Sequence, residues 1–238
     1  MEETPQSRRA PWIVVTGLDG SGKTTLVRSL SERYGGRAFR LPYHDFVRPA
    51  LSRSGHGGQF SDVLTDRLVF AADARLTNYL ISEWRRTDKL LVSQRGWIDN
   101  YVFGAVQGAS WAETAALLRT AELERPSAII HLVADAATAF ERIRRDPRKD
   151  KYETLPFMQR QYEETLRLYR AVEAGNAALK PFLGIPSVLI DTTHLDPDNV
   201  FVQAQRFLAS LLSTPAAVSS PPQPCTSEPR MRAAVTAA

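Results

Sequence analysis

Cysteine is nearly missing from this sequence of 238 residues: Cys225 stands alone, which excludes an internal disulfide and any cysteine-built metal site. No apolar run comes near the roughly 18 residues that a membrane-spanning helix needs, and the start MEETPQSRRAP lacks the hydrophobic stretch of a secretory signal. Charge of one sign is also scarce. The 30 Lys and Arg exceed the 26 Asp and Glu by only +4, an excess that does not demand a nucleic-acid partner. No internal repeat is visible. The expectation is a cytoplasmic protein with no membrane and no nucleic acid among its partners. With 43% hydrophobic residues, the chain is long enough to bury one full core.

What is present begins with Gly17-Leu18-Asp19-Gly20-Ser21-Gly22-Lys23-Thr24-Thr25. The stretch fits G-x-x-x-x-G-K-[ST] and lies where that motif requires, after the apolar run Trp12-Ile13-Val14-Val15-Thr16 and at the head of a helical pattern. Glycines there leave no side chain between backbone N–H groups and phosphate oxygens, at the positive end of a helix. Lys23 is predicted to reach the β- and γ-phosphates, and the Thr24 hydroxyl to sit on Mg²⁺. All nine residues are therefore candidates to hold a nucleoside triphosphate.

The rest of the chain alternates strand and helix patterns. Apolar strands are predicted at residues 12–16, 37–41, 89–93, 127–133 and 187–190. Helices are predicted over residues 23–33, 61–86, 99–107, 111–123, 136–145, 155–173 and 197–212. This order implies an α/β fold of the P-loop NTPase type: a five-stranded parallel sheet between two helical layers, occupying residues 11–212. Residues 213–238, rich in Pro, Ser and Ala, read as a disordered tail.

Ligand contacts in such sheets come from the carboxyl ends of the strands. That rule makes Tyr43, His44 and Asp45 candidates to touch a substrate, and it makes Arg95 a candidate to hold an acceptor phosphate with both arms of its guanidinium. His131 lies within a strand and is given no role. A basic run holding Arg142, Arg144, Arg145, Arg148, Lys149 and Lys151, broken by Pro147, suits a lid that closes over phosphates and expels water.

On these residues the chain resembles the thymidylate kinase family of nucleoside monophosphate kinases. The phosphate loop is similar to that family's, including the acid at Asp19, which the resemblance assigns to Mg²⁺ and the acceptor phosphate. Phe70-Ala71-Ala72-Asp73 resembles the helix whose Phe stacks on the acceptor base. Arg95 matches the arginine of the Asp-Arg-Tyr/His motif, with Asn100 five residues on, and Asp150-Lys151-Tyr152-Glu153 is similar to the end of the family's lid. The resemblance implies ATP as donor, Mg²⁺ as cofactor and often a homodimer. It implies Lys23, Asp19, Arg95, Arg142, Arg145 and Arg148 as catalytic residues, and Tyr43, Phe70, Arg75, Arg95, Asn100 and Tyr152 around the acceptor. Three positions depart from the pattern: Gln94 replaces the Asp, Gly96 the aromatic residue, and Ala74 the base-reading Arg, with Arg75 one step later and about 100° further round the helix. The expected activity is transfer of the γ-phosphoryl of Mg-ATP to thymidine monophosphate or a related or modified pyrimidine nucleotide. The alternatives are a kinase for a nucleoside or another small molecule, and a non-catalytic nucleotide-dependent switch.

Overall fold

The computed structural model describes residues 9–47, 49–50, 63–144 and 154–212. Five strands form one parallel sheet: β1 (Trp12–Gly17), β2 (Arg37–Arg40), β3 (Leu91–Gln94), β4 (Ala128–Val133) and β5 (Ser187–Asp191), in the order β2-β3-β1-β4-β5. The α-helices whose bounds are described include α1 (Lys23–Tyr34), α2 (Val63–Thr87), α3 (Asp99–Val106), α4 (Trp111–Leu118), α5 (Ala136–Ile143), α6 (Leu155–Glu173) and α7 (Pro197–Leu212).

The central strands are apolar along their whole length because both of their faces are covered. In β1 the alternation divides the core: Trp12 and Val14 enter a cluster with residues of α2, α3, α4 and α6, while Ile13 and Val15 enter one with residues of α1 and α7. The Trp12 indole, fully buried, donates to Ser93 Oγ at 2.9 Å, so its polar edge is satisfied across the β1–β3 pair. The register sets Val15 beside both Gln94 and Ile130 and Gly17 beside Leu132. The carboxyl ends of β1, β3 and β4 are therefore neighbours, and the segments leaving them share one edge of the sheet.

The five strands and the two helical layers agree with the sequence pattern, and α6 and α7 have the predicted bounds. Three helices end sooner, α3 by one residue at Val106. α4 stops at Leu118, where Arg119 turns to φ 48°, and residues 120–122 continue only as a 3-10 turn. α5 stops at Ile143. Among the described residues no helix is long and apolar enough to cross a membrane.

Candidate active site

The segment after β1 wraps back on itself before α1. Gly17 takes φ 135°, and a Cβ there would sit 1.8 Å from the Leu132 carbonyl oxygen, so no other residue lets β1 pass β4 this closely. Leu18 is fully buried with Ala134, Ala136, Ala139 and Met158; it pins the loop from behind and leaves only its backbone for a ligand. Lys23, 3% exposed, folds its ammonium over the loop to the Leu18 carbonyl and to Asp19 Oδ1 at 3.2 Å.

The segment after β3 meets this loop through charge. Arg95 holds a left-handed backbone (φ 69°), rare for a residue with a side chain, and its N–H is anchored to the Val15 carbonyl at 2.8 Å. That turn aims the guanidinium at Asp19, where Nη2 donates to Oδ1 at 2.7 Å and Oδ2 at 2.6 Å. Behind the arginine lies buried Asp99. It accepts from Thr16 Oγ1 at 2.9 Å and from the Gly96 N–H at 2.8 Å, with Arg95 Nη1 at 3.9 Å. Thr24 Oγ1 donates to Gln94 Oε1 at 3.1 Å. Two cations and two carboxylates are thus interleaved where the two strands end.

Their protonation follows from this packing. Burial pushes Asp19 upward, but the charges of Arg95 and Lys23 and their hydrogen bonds outweigh it and hold the carboxyl well below its ordinary range. Burial lowers Lys23 to about 8 despite the opposing charge of Asp19. Burial raises Asp99 against the pull of Arg95 and its two hydrogen bonds.

Aromatic rings border the arginine. Phe103 of α3 lies under the Arg95 guanidinium, 5.2 Å from ring centre to Cζ, with Phe70 of α2 at 6.3 Å and Phe157 of α6 at 5.7 Å. Phe70 and Arg95 thus share Phe103 as a neighbour, and Asn100 stands in the first turn of α3.

Other candidates are placed differently. The Tyr43 ring, half exposed, packs on Trp84 at 5.5 Å and on His44 at 5.3 Å. Arg75 turns to Glu122 at 3.0 Å, an approach whose angle makes an ion pair and no hydrogen bond, and so does not join Phe70. The reason is the helical phase, which buries Ala74 instead. Arg142 is not held over the phosphate side of the loop. Its guanidinium donates to the carbonyl oxygens of Gly20, Thr192 and Thr193 at 3.2, 2.9 and 3.1 Å, clamping the loop to the end of β5. Arg144 turns its guanidinium to Glu141 at 3.1 Å, and Arg145, Arg148, Lys149, Lys151 and Tyr152 lie outside the described residues.

Sequence reasoning missed Asp99 and Thr192. Asp99 stands four residues beyond Arg95 at the start of a helix, a spacing that signals an ion pair. Thr192, 3% exposed, donates to the Ser21 carbonyl at 3.1 Å; nothing in the turn Asp191-Thr192-Thr193 marked it.

The loop fits a polyphosphate. Among the described residues a Cβ on Gly22 would meet nothing within 4 Å, so the backbone there faces open space, and the buried Ser21 Oγ has no hydrogen-bond partner. For a hard divalent cation the loop offers oxygen donors, the Thr24 hydroxyl and the Asp19 carboxylate. Among the described residues no group of three acidic, His or Cys side chains forms a metal cage.

Comparison with known proteins agrees with this geometry. A family model described as an AAA domain matches residues 12–176, spanning the phosphate loop and the Arg95 segment. The probable thymidylate kinase of Pyrobaculum calidifontis is 30% identical over 177 residues, covering 70% of this chain and 89% of that protein. The probable thymidylate kinase of Pyrobaculum aerophilum is 31% identical over 169 residues, covering 69% and 84%. Among solved structures, thymidylate kinase from Candida albicans superposes with a TM-score of 0.66 at 16% identity, covering 85% of this chain and 92% of that one, a likeness of fold. With the phosphate-loop sequence and relatives of this identity and extent, the chain belongs to the thymidylate kinase family of P-loop nucleoside monophosphate kinases.

Proposed function

We propose that the protein transfers the γ-phosphoryl group of ATP to a nucleoside monophosphate, a pyrimidine nucleotide being the favoured acceptor. The observation that carries this reading is the Asp19–Arg95 pair at 2.6–2.7 Å. It joins the loop that would hold the donor to the cation that would hold the acceptor, so the two phosphates meet at one place. The reaction then rests on positioning and electrostatics. Lys23 and the loop amides bind the donor phosphates, Arg95 grips the acceptor phosphate as a fork, and Phe70 and Phe103 offer faces to the base. Thr24 and Asp19 would hold Mg²⁺, which when bound neutralises phosphate charge. Gln94 is an amide where a hydroxyl acceptor would want a base, which disfavours a free nucleoside, since a phosphate acceptor needs none.

We also propose a homodimer, which the exposed side of α2 supports. Leu64, Leu68, Leu76 and Tyr79 are each about half exposed or more, along one side of the helix, an apolar row suited to a copy of itself.

The test is ADP release from Mg-ATP across nucleoside monophosphates and free nucleosides. Acceptor-dependent release confined to monophosphates, lost in Lys23→Ala, supports the reading. Release indifferent to every acceptor sinks it in favour of a switch.

A further inference from the structure

The turn from β3 into α3 sets a cation and an acid four residues apart, Arg95 and Asp99. Arg95 holds the left-handed backbone that a residue with a side chain avoids, and two hydrogen bonds keep it there. The Arg95 N–H donates to the Val15 carbonyl at 2.8 Å, and the Gly96 N–H donates to Asp99 Oδ2 at 2.8 Å. The Asp99 N–H answers on the Gly96 carbonyl at 3.1 Å, a reciprocal cap at the start of α3 that accounts for one carboxylate oxygen.

Capping leaves the other oxygen unexplained. Oδ1 accepts from Thr16 Oγ1 at 2.9 Å and lies 3.9 Å from Arg95 Nη1. Thr16 is buried in β1, so Oδ1 is fixed from the side of the sheet. Asp19 takes Nη2 at 2.6–2.7 Å, but it does so from a loop, and its side chain is 22% exposed against 10% for Asp99. In the kinase reading the acceptor phosphate competes with Asp19 for Nη2, so the contact that aims Arg95 is the one that binding gives up. A buried arginine parted from its carboxylate is costly, and Asp99 is the carboxylate that stays. Its charge acts on Lys23 as well, so both cations are balanced from behind the site.

We propose that Asp99 is a positioning residue, the fixed counterion that keeps the Arg95 guanidinium aimed at the acceptor phosphate after Asp19 lets go. This rests on the kinase reading above and deepens it. The amide of Gln94 brings no negative charge to the end of β3; Asp99 supplies it from the first turn of α3, through Oδ1, while Oδ2 caps the helix. Asp99 touches neither phosphate in this arrangement and acts through Arg95.

The experiment is steady-state kinetics of the full chain with Mg-ATP and thymidine monophosphate, or the monophosphate of the panel above that releases ADP fastest. Asp99→Asn keeps the volume and an oxygen for the Gly96 N–H, so the cap survives and the charge is lost. It is expected to raise the acceptor KM by about tenfold, with kcat and the ATP KM changed far less. In an Arg95→Ala background the same change is expected to add nothing, because the group it positions is gone. An unmoved acceptor KM in Asp99→Asn overturns the inference, makes Asp99 a helix cap alone and leaves the kinase reading intact. Losses that add in the double variant overturn it as well, showing an action on the fold independent of Arg95. A wild type that releases ADP with no monophosphate defeats the kinase reading and this inference together. Should Asp99→Asn fold poorly, Thr16→Val decides the matter: it frees Oδ1 and leaves the cap untouched. The acceptor KM then rises several-fold if Oδ1 is held for Arg95, and an unmoved value overturns the inference.

Discussion

The Thr24 hydroxyl donates its proton to Gln94 Oε1 at 3.1 Å, across the gap between α1 and β3. Spent in that direction, the proton leaves the oxygen lone pairs of Thr24 turned outward, as a metal ligand requires. A carboxylate at 94 would do the same and add charge; the amide keeps the orientation without the charge. Gln94→Ala should therefore raise the Mg²⁺ concentration for half-maximal turnover several-fold, while metal-free nucleotide binding stays the same. Titration of activity against Mg²⁺ checks this, and an unmoved midpoint would show that Gln94 does not orient Thr24.

Arg95 reaches Asp19, Asp99 and the Phe103 face, and its fork is what the acceptor phosphate would share. Arg95→Ala is expected to raise the acceptor KM by roughly a hundredfold, the cost of losing a charge-assisted bidentate contact, with the ATP KM changed far less. Arg95→Lys should recover little, because a point charge cannot span two oxygens. Equal damage to both KM values would instead mean that Arg95 acts by shaping the phosphate loop through Asp19.

Most of this architecture was legible in the sequence because it rests on local rules. Buried parallel strands read as unbroken apolar runs, and the phosphate loop is spelled by glycines that no substitute can replace. Arg95 could be named because it follows the carboxyl end of a strand, and Phe70 because its helix resembles the one that stacks on the base in the family. Arg75 and Arg142 could not be placed from sequence, since a helical phase decides the first and a tertiary clamp across 50 residues decides the second. Asp99 was hidden for a related reason. A buried carboxylate at a helix start looks like a cap until the fold brings Thr16 and Arg95 beside it.

Gly96 shows how a departure from a motif can be structural. A Cβ at this position would lie 2.9 Å from Val14 Cγ1, and Val14 is 1% exposed in the middle of β1, unable to withdraw. Gly96→Ala should cost about 1–3 kcal/mol of stability by overpacking. Combined with Val14→Ala it should cost less than the sum of the two single changes, because each relieves the other. Denaturant melts of the four proteins decide this; strict additivity would place the strain elsewhere.

His131 belongs to no site, yet it governs how the fold answers acid. It is 3% exposed on β4, edge-on to the Tyr169 ring at 5.3 Å, and burial lowers its pKa from 6.5 to about 4. In the unfolded chain the imidazole takes up a proton near its ordinary pKa, while the folded chain keeps it neutral down to about 4. This group's contribution is therefore fully present above pH 6.5 and is lost as the pH falls from there toward 4, by about 2 kcal/mol at pH 5. The depressed carboxyl of Asp19 acts in a different window: its contribution is lost only below the ordinary carboxyl value of 3.8. Asp99, raised by burial, works in the opposite sense, gaining stability as acid neutralises it. Both remain in a His131→Leu variant, so the difference between variant and wild type isolates the histidine. The expected result is a stability gap that shifts in the variant's favour by about 2 kcal/mol between pH 7 and pH 5 in urea unfolding. A gap that stays constant over that range would show that His131 is protonated within the fold, and that the sheet between β4 and α6 admits water.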